Sequence, residues 1–219
     1  MPQTEPMNRP AAFLADPPQS AGVTAAYEDD LTSDGYVNNL TRVWCWRPDV
    51  LASFQTLRAD LLAASGLSPR EVAVLVAATA AALGDAYCAL AWGARLAELS
   101  DEASAASVLR GSDGVLSERE NALAAWARQV VQDPNATTEG HVARLREAGL
   151  HDREIFEATT WIAFRLAFST VNDALGARPD PQLAERAPRL VREAVTYGRP
   201  VQADTSAPAD SAPAGPVTG

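Results

Sequence analysis

Lysine is absent from the 219 residues, and histidine, cysteine and methionine occur only twice each. Without lysine, Schiff-base and lysine-nucleophile mechanisms are excluded. All 18 basic side chains are arginine, which suits salt bridges and carboxylate binding. Two cysteines, Cys45 and Cys88, are too few and too far apart for a disulfide framework or a four-ligand zinc site. They point to a reducing, cytoplasmic location, and no metal or cofactor is expected. No stretch stays apolar for the roughly 18 residues that a membrane helix needs. Met1 to Ser20 has neither a basic start nor a continuous apolar core, so the chain reads as soluble and not exported. Positive charge is scarce overall: a net charge of −10 and a pI near 4.7 repel phosphate backbones and anionic membranes. Nucleic acid and membrane are therefore set aside as partners.

What is present points to helices. Hydrophobic residues make up 47% of the chain, and runs such as Ala77-Ala78-Thr79-Ala80-Ala81-Ala82 favour helix because alanine loses almost no side-chain entropy there. Strand-like alternation is missing. The expectation is an all-α fold with one domain over 31–198, preceded by an extended or disordered arm over 1–30 and followed by a disordered Ala/Pro-rich tail over 199–219. Ser68-Pro69-Arg70-Glu71 combines a capping serine, a proline at the first helical position and a glutamate three residues after the cap, and Ser117-Glu118-Arg119-Glu120 repeats the cap and its glutamate. These signals predict helices near 48–64, 69–84, 86–99, 101–109, 118–132, 138–148, 152–175 and 181–196. Gly66 to Glu71 and Gly149 to Glu154 share the pattern Gly-Leu-x-x-Arg-Glu, read either as a relic of duplication or as one capping solution used twice.

Leu83-Gly84-Asp85-Ala86-Tyr87-Cys88-Ala89-Leu90-Ala91-Trp92 resembles the signature of the alkyl hydroperoxidase D and carboxymuconolactone decarboxylase superfamily. There a glutamate precedes a Cys-x-x-Cys pair by twelve residues and a histidine follows the second cysteine by four. Laid onto this chain, the second cysteine is Cys88, the first falls on Asp85, the glutamate on Ala73 and the histidine on Trp92. Asn39-Leu40-Thr41-Arg42, Gly66 to Glu71, Leu116 to Glu120, Leu145 to Leu150 and Asp173-Ala174-Leu175-Gly176 extend the resemblance over roughly residues 38 to 180. It implies a helical bundle that assembles into a homo-oligomer, a dimer, trimer or hexamer, around a small-molecule substrate.

The resemblance makes Cys88 and Asp85 the candidate catalytic residues, and Tyr87, Trp92 and Trp46 the candidate substrate-binding ones. An active thiol of this kind would be accessible, with a lowered pKa. Asp85 cannot resolve a sulfenic acid as a thiol would, so the redox reading is a single-cysteine thiol peroxidase or related oxidoreductase served by an external thiol. Two further readings stand beside it: a cofactor-free decarboxylase or isomerase acting on a small carboxylate, with Arg42, Arg70, Arg95 or Arg165 binding it, and a non-catalytic small-molecule-binding member of the fold. Each residue also has a purely structural account. Cys88 serves equally as a small buried hydrophobe, Asp85 as a helix cap, Arg70 and Glu71 as helix-start residues, and Trp44-Cys45-Trp46 as core. His141 and His151 fall at predicted helix starts, where capping explains them. Arg165 and Asp173, eight apart on one predicted helix, project in similar directions and form a possible buried pair.

Overall fold

In the computed structural model, which describes residues 11–112 and 116–203, helices form the whole regular structure of the described residues, with no strand. In chain order they are α1 (Ala21–Ser33), α2 (Asn39–Trp44), α3 (Pro48–Ala63), α4 (Pro69–Leu83), α5 (Ala86–Leu99), α6 (Glu102–Arg110), α7 (Glu118–Gln132), a 3₁₀ turn at Pro134–Ala136, α8 (Glu139–Glu147), α9 (Asp152–Ala174), α10 (Pro181–Arg186) and α11 (Arg189–Ala194). The all-α class and the helices expected from 48 to 175 agree with this arrangement to within one or two residues at each end.

α4 is the axis of the bundle. Val72 to Ala80 are buried without a break, the signature of a helix apolar on every side, and its alanines let α5, α7 and α9 approach closely. Leu75 of α4 shares one core with Leu96, Leu123, Leu145, Leu150 and Ile162 from the segments around it. The ends of α4 are fixed locally: Ser68 and Glu71 close a capping box, Pro69 opens the first turn, and Gly84 takes the left-handed conformation (φ 75°) that ends it.

The helix starts are tied together by arginines. Arg70 pairs with Glu120 at the start of α7, and Arg119 pairs with Glu71 at the start of α4. Arg119 also reaches Glu154 at 2.7 Å and the Gly149 carbonyl at 2.6 Å. Both glutamates of the Gly-Leu-x-x-Arg-Glu pattern therefore meet one guanidinium while accepting from the backbone N–H of their own caps, Ser68 and His151. Capping accounts for Glu71 and Glu154 directly.

Three expectations need correction. The stretch assigned to an extended arm contains α1, capped by Ser20, with Val23 packed on Cys45 and Leu51. That one anchor gives too little apolar periodicity to be read from the sequence. The single helix expected over 181–196 is two, because Pro188 offers no N–H and forces Ala187 into extended backbone (ψ 133°). The start of the presumed tail is ordered: the Gln202 N–H donates to the Pro179 carbonyl at 2.9 Å, and Asn39 Nδ2 donates to Gln202 Oε1 at 2.8 Å. The rest of that tail, 204–219, and the first ten residues of the arm lie outside the described residues.

Candidate functional site

A cavity of about 300 Å³ lies where α3, α5 and α9 face one another, bounded also by the α1–α2 connection and α10. Cys88 lines it from the first turn of α5. The turn between α4 and α5 sets this position: after Gly84, Asp85 caps α5, its Oδ1 accepting from the Cys88 N–H at 2.9 Å, and its Oδ2 is buried without another partner. Arg165 and Ser169 come from one face of α9, four residues apart. Arg165 Nη1 donates to Cys88 Sγ at 3.0 Å and Ser169 Oγ lies 3.9 Å from the same sulfur.

Burial pushes the Cys88 thiol up to about 12; the Arg165 guanidinium acts against this, while the Asp85 carboxylate adds to it through charge and hydrogen bonding. Cys88 is 3% exposed. The expected accessible thiol of lowered pKa is therefore corrected, because desolvation outweighs the arginine. Tyr87 shares the lining, but its hydroxyl is turned to the Asp180 carboxylate. Burial raises that carboxyl to about 6 and, together with the nearby carboxylate, takes the phenol well above its ordinary range.

The walls are aromatic. The Arg165 guanidinium lies 5.7 Å from the Trp92 ring and 5.1 Å from the Phe168 ring. Phe54 of α3 packs 5.3 Å from Phe168, and Trp44 stacks on it from behind at 4.8 Å while its Nε1 donates to Asn172 at 2.8 Å. Arg58 of α3 also lines the cavity; burial and the like charge of Arg165 both pull its pKa down. Neither Arg58 nor Arg165 has a carboxylate partner among the described residues. The lining acids are already engaged, Asp34 with Arg186 at 3.6 Å and Asp30 with the Asn38 N–H at 2.9 Å.

The structure thus brings Cys88, Asp85, Tyr87 and Trp92 together and leaves Trp46 out. Trp46 is 46% exposed in the turn after α2, donates to the Ala15 carbonyl at 3.1 Å and does not line the cavity. Arg165 and Asp173 do not pair: Asp173 sits near Asp85 and Arg199, and burial together with Asp85 raises it to about 6. Arg42, Arg70 and Arg95 are engaged by Asp16, Glu120 and Glu98, so Arg165 is selected from the four arginines considered. His141 accepts from the Thr138 N–H at 3.0 Å at the start of α8, and His151 caps α9, both away from the cavity. Cys45 is free and buried in a separate cluster with Val23 and Leu51. Sequence reasoning missed Arg58, Phe54, Phe168 and Ser169. Arg165, named above among the four carboxylate-binding arginines, is the lone charge in the apolar run Trp161 to Phe168.

A larger and more open groove of about 640 Å³ lies between α7 and α8, but it contains no cysteine. Among the described residues no group of three or more histidines, cysteines, aspartates or glutamates is placed to hold a metal ion, and no helix is long and apolar enough to cross a membrane.

No family model and no curated protein matches the chain. Solved structures do. An uncharacterized peroxidase-related protein from Silicibacter sp. TM1040 aligns with a TM-score of 0.72 at 21% identity over 81% of this chain and 97% of its own. The alkylhydroperoxidase AhpD core of an uncharacterized peroxidase-related protein from Ralstonia eutropha JMP134 gives 0.70 at 23% identity, over 80% and 95%. The debrominase Bmp8, solved as a cysteine-to-alanine variant in complex with 2,3,4-tribromopyrrole, gives 0.65 at 16% identity, over 79% and 95%. The fold is the AhpD-like helical fold.

Proposed function

We propose that this AhpD-like chain is a single-thiol oxidoreductase that reduces small organic hydroperoxides in the Cys88 cavity. The observation that carries the reading is the position of Cys88 Sγ, with Arg165 Nη1 at 3.0 Å and the Asp85 carboxylate beside it. At rest the raised pKa keeps the sulfur protonated, which protects it from indiscriminate oxidation. With a hydroperoxide in the cavity, the thiol proton passes to Asp85 Oδ2 and Arg165 holds the thiolate. The sulfur attacks the distal peroxide oxygen, the O–O bond breaks, and Asp85 returns its proton to the leaving alkoxide. The products are the Cys88 sulfenic acid and an alcohol.

Cys45 lies in another cluster, so a small external thiol supplies the electrons. It first condenses with the sulfenic acid to a mixed disulfide, releasing water. A second thiol then frees Cys88 and leaves as the external disulfide. Peroxidase-related proteins and a bound small ring both occur on this fold, and both support the reading.

The test is hydroperoxide consumption in the presence of a small thiol, with dimedone trapping of the sulfenic acid read by intact mass. Wild type should consume peroxide and carry one adduct on Cys88, and Cys88→Ser should do neither. Equal consumption by the two proteins would overturn the proposal.

A further inference from the structure

Arg165 is 5% exposed, and only its Nη1 is spoken for: Nε is buried with no hydrogen-bond partner, and the guanidinium has no ion pair among the described residues. Arg58 enters the same cavity from α3, half-buried, and Arg165 is near enough to oppose its charge. Two like charges facing a cavity with aromatic walls are an unfavourable arrangement for an empty protein, since each guanidinium loses water without gaining a counter-charge. Of the two carboxylates in the lining, Asp34 pairs with Arg186 and Asp30 accepts from the Asn38 N–H, so neither Arg58 nor Arg165 has an anion of its own among the described residues. The walls add a second requirement, because Trp92 and Phe54 line the cavity with aromatic carbon, and the volume of about 300 Å³ is at the small end of ligand pockets.

We infer that the cavity binds a small organic anion with a flat apolar body, an aryl carboxylate, whose acid group lies between the guanidinium groups of Arg58 and Arg165 and whose ring lies against Trp92 and Phe54. This rests on the proposed function for its place in the reaction: the hydroperoxide substrate is one that carries such an acid. Binding of the acid would hold the peroxide at Cys88 by interactions remote from the O–O bond.

Titration calorimetry on the full chain, with benzoate as the probe and benzamide and acetate as controls, tests it. Benzamide keeps the ring and loses the charge; acetate keeps the charge and loses the ring. Benzoate should bind, and each control should bind roughly tenfold or more weakly, the scale of one lost charge-assisted contact. Arg58→Gln should weaken benzoate by a similar factor while Arg58→Lys restores part of it; Arg58 holds no other residue in place, so neither variant should unfold the chain. Benzamide binding as tightly as benzoate, or benzoate affinity unchanged in Arg58→Gln, would overturn the inference. Cys88→Ser should bind benzoate normally, which separates the two claims. Benzoate binding without peroxide reduction leaves the anion site standing and removes the redox reading. Peroxide reduction without benzoate binding does the reverse.

Discussion

The Asp85 carboxylate accepts from the Cys88 N–H at 2.9 Å and at the same time raises the pKa of the Cys88 thiol. One residue therefore starts the helix and restrains the sulfur. Asn replaces Asp as a cap with little loss, so Asp85→Asn should keep α5 intact and lower the Cys88 pKa from about 12. Iodoacetamide should then alkylate Cys88 faster than in wild type between pH 8 and about 10, while peroxide turnover falls because the proton acceptor is gone. Faster alkylation with undiminished turnover would show that Asp85 is only a cap.

Arg165→Met should act in the opposite sense on the thiol. The guanidinium is the largest influence holding the Cys88 pKa down, and methionine fills the space between Trp92 and Phe168 without charge. Alkylation at a given alkaline pH should slow and peroxide turnover should drop, while circular dichroism stays helical. An alkylation rate equal to wild type would mean that the 3.0 Å contact does not stabilise the thiolate.

Cys45→Ala provides the internal control. Cys45 packs against Val23 and Leu51 in a cluster apart from Cys88, so the variant should retain full turnover with an external thiol, at a small cost in stability of roughly 1 kcal/mol for the removed sulfur. A loss of turnover comparable to that of Cys88→Ser, in a folded protein, would show that Cys45 takes part in the cycle.

How far the sequence carried depended on whether a signal was local. Ser68 with Glu71 and Ser117 with Glu120 sit within one turn of each other, so the starts of α4 and α7 were legible without tertiary information. α1 was not, because a single buried residue, Val23, anchors it. In the site, Cys88, Tyr87 and Asp85 share one turn and stood out together, whereas Arg58, Phe54, Arg165 and Phe168 arrive on two distant helices whose packing no short motif encodes. Trp44 and Trp46 show the limit most clearly. Two positions apart at a helix end, they project in roughly opposite directions, and only the packing shows that Trp44 stacks on Phe168 while Trp46 faces outward.

Arg119→Ala should be the most damaging change outside the core. It leaves Glu71 and Glu154 without their shared partner, both with less than 15% of the side chain exposed, and frees the Gly149 carbonyl. The arrangement lies between an exposed and a buried ion pair, which sets the cost at about 2–4 kcal/mol. For a chain of this size that is roughly 5–15 °C in Tm by thermal melting. A shift below about 2 °C would mean the two capping boxes hold α4 and α9 without it.

Asp173 offers a pH-dependent test. Burial and the nearby Asp85 raise its carboxyl from 3.8 to about 6, with Arg199 opposing them. A carboxyl that holds its proton more tightly in the folded chain contributes stability that is complete below 3.8 and is lost as pH rises through about 6. Asp173→Asn removes the charge that becomes unfavourable. The Tm difference between the variant and wild type should therefore be near zero around pH 4, grow in favour of the variant up to pH 6 or so, and level off above it. Taking the difference cancels the opposite contributions of Glu120, Glu154 and Glu157, whose lowered pKa values make them stabilising at neutral pH. An offset that is the same at every pH would trace the effect to packing of the amide and not to the charge of Asp173.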